Sequence, residues 1–71
     1  MKDLKAEIET LKSTVDSMSN FKVDPSKRGQ EMYVEYRTRC EDMIEKLRSE
    51  GAKEETHPVF AQAVTSFNYW K

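Results

Sequence analysis

Apolar residues recur along the first part of the chain at alternating steps of three and four positions. Every residue between them is polar except Ala6. On a helix, side chains with this spacing form a stripe about 100° wide, which suits a coiled-coil seam better than a broad globular core. The pattern therefore predicts a helix over residues 1–20. Its apolar positions are Met1, Leu4, Ile8, Leu11, Val15 and Met18.

The residue types along this seam favour self-association. The β-branched Ile8 and Val15 occupy a-type heptad positions and leucines occupy the d-type positions, a combination that favours parallel two-stranded coiled coils. We therefore expect a homo-oligomer, in the form of a parallel dimer. The alternative is that the same stripe packs against the rest of this chain, as one arm of an intramolecular bundle. The residues expected to mediate self-association are Leu4, Ile8, Leu11, Val15 and Met18.

A second helix is predicted over residues 25–50. Asp24 followed by Pro25 is typical of a helix N-terminus, with Ser26 as an alternative N-cap. Gly51 is typical of the position that follows the last turn of a helix. The apolar residues between these signals occupy an arc of about 120°, wide enough for a core face. They are Met32, Tyr33, Tyr36, Cys40, Met43, Ile44 and Leu47.

Gly29 is unexpected inside this helix, because glycine costs about 1 kcal/mol in a helix interior. Either the helix begins near Gln30, or another helix crosses closely at Gly29. A third helix is predicted over residues 57–71, where Pro58 suits the first helical turn. The apolar residues on one face of this third helix are Val59, Phe60, Ala63, Val64, Phe67 and Trp70.

These elements predict an all-α protein with a single small helical domain over residues 1–71. We expect the coiled-coil-forming helix to be followed by a hairpin of the other two helices, in an oligomeric helical bundle. The composition supports association: 37% of the residues are hydrophobic and 35% charged, and only 13 of the 71 are Leu, Ile, Val or Phe. A lone domain of this size is marginally stable even with a normal apolar fraction.

Several classes of function are disfavoured by what the chain contains. One cysteine and one histidine provide neither a disulfide nor a set of metal ligands, and there is no glycine-rich phosphate loop. No apolar run approaches the length of about 20 residues that a membrane span requires. The charged N-terminus does not resemble a signal peptide. We therefore expect a non-enzymatic protein that uses no cofactor, binds no metal or membrane, and is intracellular (cytoplasmic) rather than secreted.

Charge is unevenly distributed although the formal net charge is only −1. Residues 21–40 carry five basic and three acidic side chains, whereas residues 41–55 carry six acidic and three basic ones. The helix dipole favours acids near the N-terminus and bases near the C-terminus, which is the opposite order. Antiparallel pairing of two second helices would explain this order, as would a charged partner; ordinary solvation is the simpler alternative.

Two sets of residues are candidates for binding. Tyr69 and Trp70 lie within three residues of the end of the sequence, and Val34 lies off the apolar arc of its helix, so we expect these three to contact a protein partner. An alternative is nucleic-acid contact through a basic region, with Tyr33 and Tyr36 as stacking groups. Its residues would be Lys22, Lys27, Arg28 and Arg37.

The first functional hypothesis is a protein-protein interaction module, such as a small adaptor, assembly or regulatory protein. It would self-associate through the heptad helix and present an aromatic and charged helical surface to a protein partner. Small accessory proteins of phages, viruses and bacteria have this general form, which is an analogy only. The alternatives are a small dimeric nucleic-acid-binding regulator that uses the basic 22–39 region, and a monomeric helical inhibitor of an enzyme.

Overall fold

The computed structural model describes residues 4–71, which form three α-helices and contain no strand. Helix α1 spans Leu4–Lys22, α2 spans Lys27–Ser49 and α3 spans Pro58–Trp70. The all-α prediction is confirmed. Each of the three predicted helices has its counterpart within a few residues, and the predicted start at Met1 lies outside the described residues.

Helix α1 is the packing centre of the bundle. The ring of Phe21 near its C-terminus meets Tyr36 of α2 edge to face, with 5.3 Å between the centroids. Glu7 near its N-terminus lines a groove together with Leu47 near the end of α2, so α1 and α2 run antiparallel. The Tyr33 hydroxyl donates a hydrogen bond to the Trp70 carbonyl, so the end of α3 lies beside the start of α2. Helices α2 and α3 are thus antiparallel, as a hairpin requires, but both pack mainly against α1 and touch each other only briefly.

The heptad seam is part of the core of this single chain. Leu11 and Met18 are fully buried, and Ile8 and Val15 are almost so, while Leu4 packs partly buried against the same cluster. The structure therefore corresponds to the intramolecular alternative. A zipper between two chains would have to draw on the same side chains. The rest of the core comes from α2, from α3 and from Ala52 in the segment that joins them. The residues are Tyr33, Cys40, Ile44, Leu47, Ala52, Phe60, Ala63, Val64 and Phe67.

The turn between α1 and α2 is held by side chains. Ser26 is the N-cap of α2, because its hydroxyl accepts a hydrogen bond from the Gly29 N–H at 3.0 Å. Asp24 supports the cap from outside the helix: its carboxylate accepts the Ser26 N–H at 2.9 Å, and its carbonyl accepts the Gln30 side-chain amide at 2.6 Å. The cap is thus the alternative one of the two predicted from the sequence.

Gly29 lies within the first turn of α2, which corrects both explanations offered for it. The helix begins before Gly29, and the group close to it is the Asp24 side chain rather than another helix. A β-carbon at position 29 would lie 2.5 Å from the Asp24 carboxyl carbon. By contrast, Gly51 has open space around it but a φ of 105°, so its backbone conformation is what favours glycine there.

Candidate binding surface

The fold separates charge along the long axis of the molecule. We define the basic end as residues 17–40 and 67–71, and the acidic end as residues 4–16 and 41–66. The basic end carries six basic and three acidic side chains, whereas the acidic end carries five basic and nine acidic ones. Their net charges are therefore +3 and −4. The six basic residues of the basic end are Lys22, Lys27, Arg28, Arg37, Arg39 and Lys71.

The direction of the neighbouring helices favours part of this separation. The C-termini of α1 and α3 lie at the basic end, so Lys22 in the last turn of α1 and Lys71 at the C-cap of α3 are well placed relative to those helix dipoles. The other four basic residues of this end lie on α2, whose own dipole does not favour them. The two explanations offered from the sequence for the charge order of α2, pairing of second helices or a charged partner, stay predictions.

Tyr33 is the centre of the basic end. Its ring is largely buried, with the Lys22 ammonium 4.9 Å and the Arg37 guanidinium carbon 5.9 Å from the ring centroid. The Lys22 ammonium also donates to the Tyr33 hydroxyl at 3.4 Å, and that hydroxyl in turn donates to the Trp70 carbonyl at 3.0 Å. Two of the basic residues predicted for nucleic-acid contact and the end of α3 therefore meet at one tyrosine.

Tyr69 is the most exposed large apolar side chain among the described residues, with 78% of its surface accessible. Its ring stands nearly perpendicular to that of Trp70, with 5.0 Å between the centroids. Trp70 is half-buried and packs against the core. Of the two aromatic residues predicted to contact a partner, Tyr69 is thus accessible over most of its surface. Trp70 packs between the core and the Tyr69 ring.

The remaining candidate residues lie around this centre rather than in it. Val34 is 52% exposed, but it follows Tyr33 by one residue and so points about 100° away around the helix. Lys27 and Arg28 are exposed in the first turn of α2, at the tip of the basic end. The structure does not bring Val34 to the pair formed by Tyr69 and Trp70.

Two residues at the basic end, Lys71 and Arg39, were not among the predicted site residues, and Tyr33 was considered from the sequence only as a core residue and as a stacking group for nucleic acid. Tyr33 carries the contacts described above, Lys71 lies with its ammonium 5.7 Å from the Phe67 ring centroid, and Arg39 pairs with Glu35 at 2.8 Å. The spacing of four residues signals the Arg39–Glu35 pair, which is exposed and worth less than about 1 kcal/mol. Only the fold brings Lys71 and Tyr33 to the same end.

Other chemically notable groups offer little reactivity. Burial, with a smaller effect from the charge of Glu41, raises the pKa of the Cys40 thiol to about 11, so it is protonated at neutral pH. The His57 ring nitrogen Nδ1 lies 2.8 Å from the Thr56 hydroxyl. Residues 4–71 contain no group of three or more His, Cys, Asp or Glu side chains that could hold a metal ion.

Comparison with known proteins provides no assignment. The chain matches no family model, no curated protein and no solved structure. None of the helices within residues 4–71 is both long enough and apolar enough to cross a membrane. A function has to be inferred from the chemistry of the surface itself.

Proposed function

We propose that this chain is a non-enzymatic protein-protein interaction module, a small adaptor, assembly or regulatory protein, that contacts a protein partner through its basic end. The observation that carries the proposal is the exposure of Tyr69 at the basic end, where its ring contacts that of Trp70 edge to face. Tyrosine, tryptophan and arginine are the residue types enriched among the energetically dominant positions of protein interfaces.

The aromatic pair is held in place before any partner binds. The hydrogen bond from Tyr33 to the Trp70 carbonyl fixes the last turn of α3, and packing on the core restrains the Trp70 ring. A side chain that is already ordered loses less conformational entropy on binding, so more of its contact energy contributes to affinity. Tyr69 can therefore act as an anchor rather than as a loose surface residue.

The charge around the anchor defines the kind of protein surface that fits it. With a net charge of +3, the basic end favours an acidic surface with an apolar recess for the tyrosine ring. Such complementarity raises association rates and selects orientation more than it raises affinity. The acidic end of the molecule, with −4, would repel the same partner.

Self-association through the heptad seam stays a separate prediction. Because Leu11 and Met18 are fully buried in the single chain, a parallel zipper would require α1 to leave α2 and α3. The seam therefore supports self-association only by exchange of α1 between chains. The proposal for the basic end does not depend on it.

A capture experiment tests the proposal. The full chain and its Tyr69→Ser variant are compared as baits in lysate, with Lys53→Ser at the exposed acidic end as the matched control. We expect the wild type and the Lys53 variant to retain the same protein partner and the Tyr69 variant to lose it, with unchanged helical circular dichroism. Retention of the same partner by the Tyr69 variant would contradict the proposal.

Nucleic-acid binding is the second candidate, favoured by one structural observation. The fold adds Lys71 to the basic residues proposed from the sequence, Lys22, Lys27, Arg28 and Arg37, so more cations share one end than the sequence order suggests. Binding of a labelled duplex at low salt, weakened by Lys27→Glu combined with Arg28→Glu, would support it. An excess of three positive charges predicts only a shallow salt dependence of that binding.

A further inference from the structure

One face of the bundle, formed by α1 and α3, carries both a protruding and a recessed feature. Along α3 its residues follow steps of three, four and three positions, so they lie on one side of the helix. They are Val59, Gln62, Ser66 and Tyr69. Val59 lies at the acidic end and Tyr69 at the basic end, ten residues and therefore about 15 Å apart along the helix. We call this surface the α1/α3 face.

The recess lies at the acidic end of the α1/α3 face. It has a volume of about 260 Å³, and its apolar wall comes from Ile8, Pro58 and Val59. Val59 is one of the few exposed large hydrophobic residues in the described part of the chain. The polar rim of the recess is formed by Lys5, Glu9, Thr56 and His57.

A shallow groove between α1 and α3 occupies the middle of the same face. Small side chains of α3, including Ala61 and Ser66, line one wall, and Lys12 and Asp16 of α1 line the other. Small side chains allow a second backbone to approach closely. The face thus presents a protruding tyrosine, a central groove and an apolar recess in sequence along its length.

We propose that the α1/α3 face pairs with the same face of a second copy of this chain, in antiparallel orientation. A two-fold axis passes near the middle of the groove, and Tyr69 of each copy enters the recess beside Val59 of the other. This inference rests on the proposed function, in which Tyr69 is a protein-binding anchor, and it identifies the partner as the chain itself.

The two-fold arrangement matches side chains along the whole face. Because an antiparallel pair reverses α3 against its copy, Gln62 of one copy lies opposite Ser66 of the other when Tyr69 lies opposite Val59. The same axis brings Lys12 opposite Asp16 of the second copy, twice. Each feature of the face therefore meets its complement, which is the requirement for an interface between identical surfaces.

Charge complementarity selects the antiparallel orientation. In this orientation Lys12 and Asp16, the charged residues that line the groove, each lie opposite the unlike charge of the other copy. A parallel two-fold arrangement would set α1 of one copy against α3 of the other, which carries no charged side chain, and would leave both groove charges without a counterpart. Because these charges are exposed, salt screens their attraction, and the dimer is expected to weaken as the ionic strength rises.

The groove between α2 and α3 is a weaker candidate for the same role. Its apolar floor consists of Ile44, Val64 and Phe67, which are 4–7% exposed and already satisfied within the core. None of the exposed large apolar side chains in the described part of the chain lines this groove, so it offers no protruding anchor. The α1/α3 face has both an anchor and a recess to receive it.

Sedimentation equilibrium of the purified full chain tests the pairing. Across about a thousandfold range of concentration, we expect the mass to rise from 8.3 kDa towards twice that value. Tyr69→Ser should raise the dissociation constant about tenfold or more, as truncation of an interface anchor does. Val34→Ser, which removes an exposed apolar side chain from another face, is the matched control and should leave the constant unchanged.

A charge exchange tests the orientation independently. Lys12→Asp alone places two acids opposite each other at both symmetric positions, so it should weaken the dimer. The combined variant Lys12→Asp and Asp16→Lys restores opposite charges across the axis and should restore the wild-type dissociation constant. Failure of the combined variant to recover would overturn the antiparallel pairing, even if Tyr69→Ser weakened the dimer.

The other outcomes separate this inference from the proposed function. A monomer at every concentration overturns the pairing, while loss of a different captured protein by Tyr69→Ser would still uphold the proposed function. A dimer whose dissociation constant is unchanged by the Tyr69 and Lys12 substitutions also overturns the pairing and places the interface on another surface. If Tyr69→Ser changes neither dimerisation nor capture, both proposals fail.

Discussion

The two ends of helix α3 show how one helix can serve both a core and a surface. At the acidic end Phe60 is fully buried in the core, beside the segment that joins α2 to α3. At the basic end Tyr69, nine residues later, is 78% exposed, although it is also a large aromatic residue. The two ends of α3 therefore differ in whether the large aromatic side chain is enclosed by the core or left exposed beside a second ring, that of Trp70.

The largest expected effect on the free energy of unfolding comes from the buried end of α3, at Phe60. Phe60→Ala leaves a cavity in the core and should lower the free energy of unfolding by about 3–5 kcal/mol, which is most of the stability of a domain this small. Tyr69→Ala, measured at low protein concentration, should change it by no more than about 0.5 kcal/mol. Urea denaturation of both variants checks this pair. Equal losses would mean that Tyr69 belongs to the core.

The second expected effect concerns the turn at the basic end. Gly29→Ala should destabilise the fold by about 1–2 kcal/mol, since the clash with the Asp24 side chain outweighs the better helix propensity of alanine. Urea denaturation measures the change. Combining it with Asp24→Gly removes the obstructing side chain and should make the alanine less costly than in the wild-type background. If Gly29→Ala stabilised the protein instead, the Asp24 side chain would move aside at little cost, and the predicted clash would be wrong.

The helices, the packing of the heptad seam and the turn at Gly29 differ in how far the sequence predicts them. The helices follow from apolar spacing and from local signals such as Pro58 and Gly51, and so they were predictable. What covers the seam was not, because a narrow stripe fits a second chain as well as it fits α2 and α3. The contact of Gly29 with Asp24 depends on the exact path of a turn, which periodicity does not describe.

The binding surface was predictable only in part, for a similar reason. Tyr69 stood out as an aromatic residue off the apolar arc of its helix, and the basic residues stood out as a cluster in the sequence. Tyr33, in contrast, looked like a core residue, and its link to Trp70 spans 37 positions. Long-range contacts of this kind leave no local pattern. The charge order of α2 was readable from the sequence, but the position of Lys22 and Lys71 at the same end of the bundle was not.

A smaller effect on stability is expected when the charge at the C-terminus of α1 is reversed. Lys22→Glu places an acid at the C-terminus of α1 and removes a cation from the Tyr33 ring, so it should cost about 0.5–1 kcal/mol of stability at low ionic strength. Lys12→Glu, in the middle of the same helix, should cost less when measured on the monomer. Thermal or urea unfolding at low salt compares the two. Equal costs would contradict the role assigned to helix direction.

The smallest effect is a pH dependence located at the turn of the basic end. The hydrogen bond from the Ser26 backbone N–H, with a further one from its side chain, holds the pKa of Asp24 below its usual value of 3.8. Since the folded-state pKa is the lower one, the carboxylate stabilises the fold above pH 3.8, and this contribution is lost as the pH falls through the lowered value. The stability difference between wild type and Asp24→Asn should therefore shrink on acidification. A difference that stays constant down to acid unfolding would contradict the assignment.

The most direct test of the contact surface is a dilution series of the isotopically labelled full chain, followed by two-dimensional NMR. The amide signals of Val59, Ser66 and Tyr69 should move together as the concentration changes, while that of Val34 stays fixed. Such a result would locate the interface on the α1/α3 face. Signals of Val59 and Tyr69 that do not move across a concentration range in which the mass doubles would contradict it.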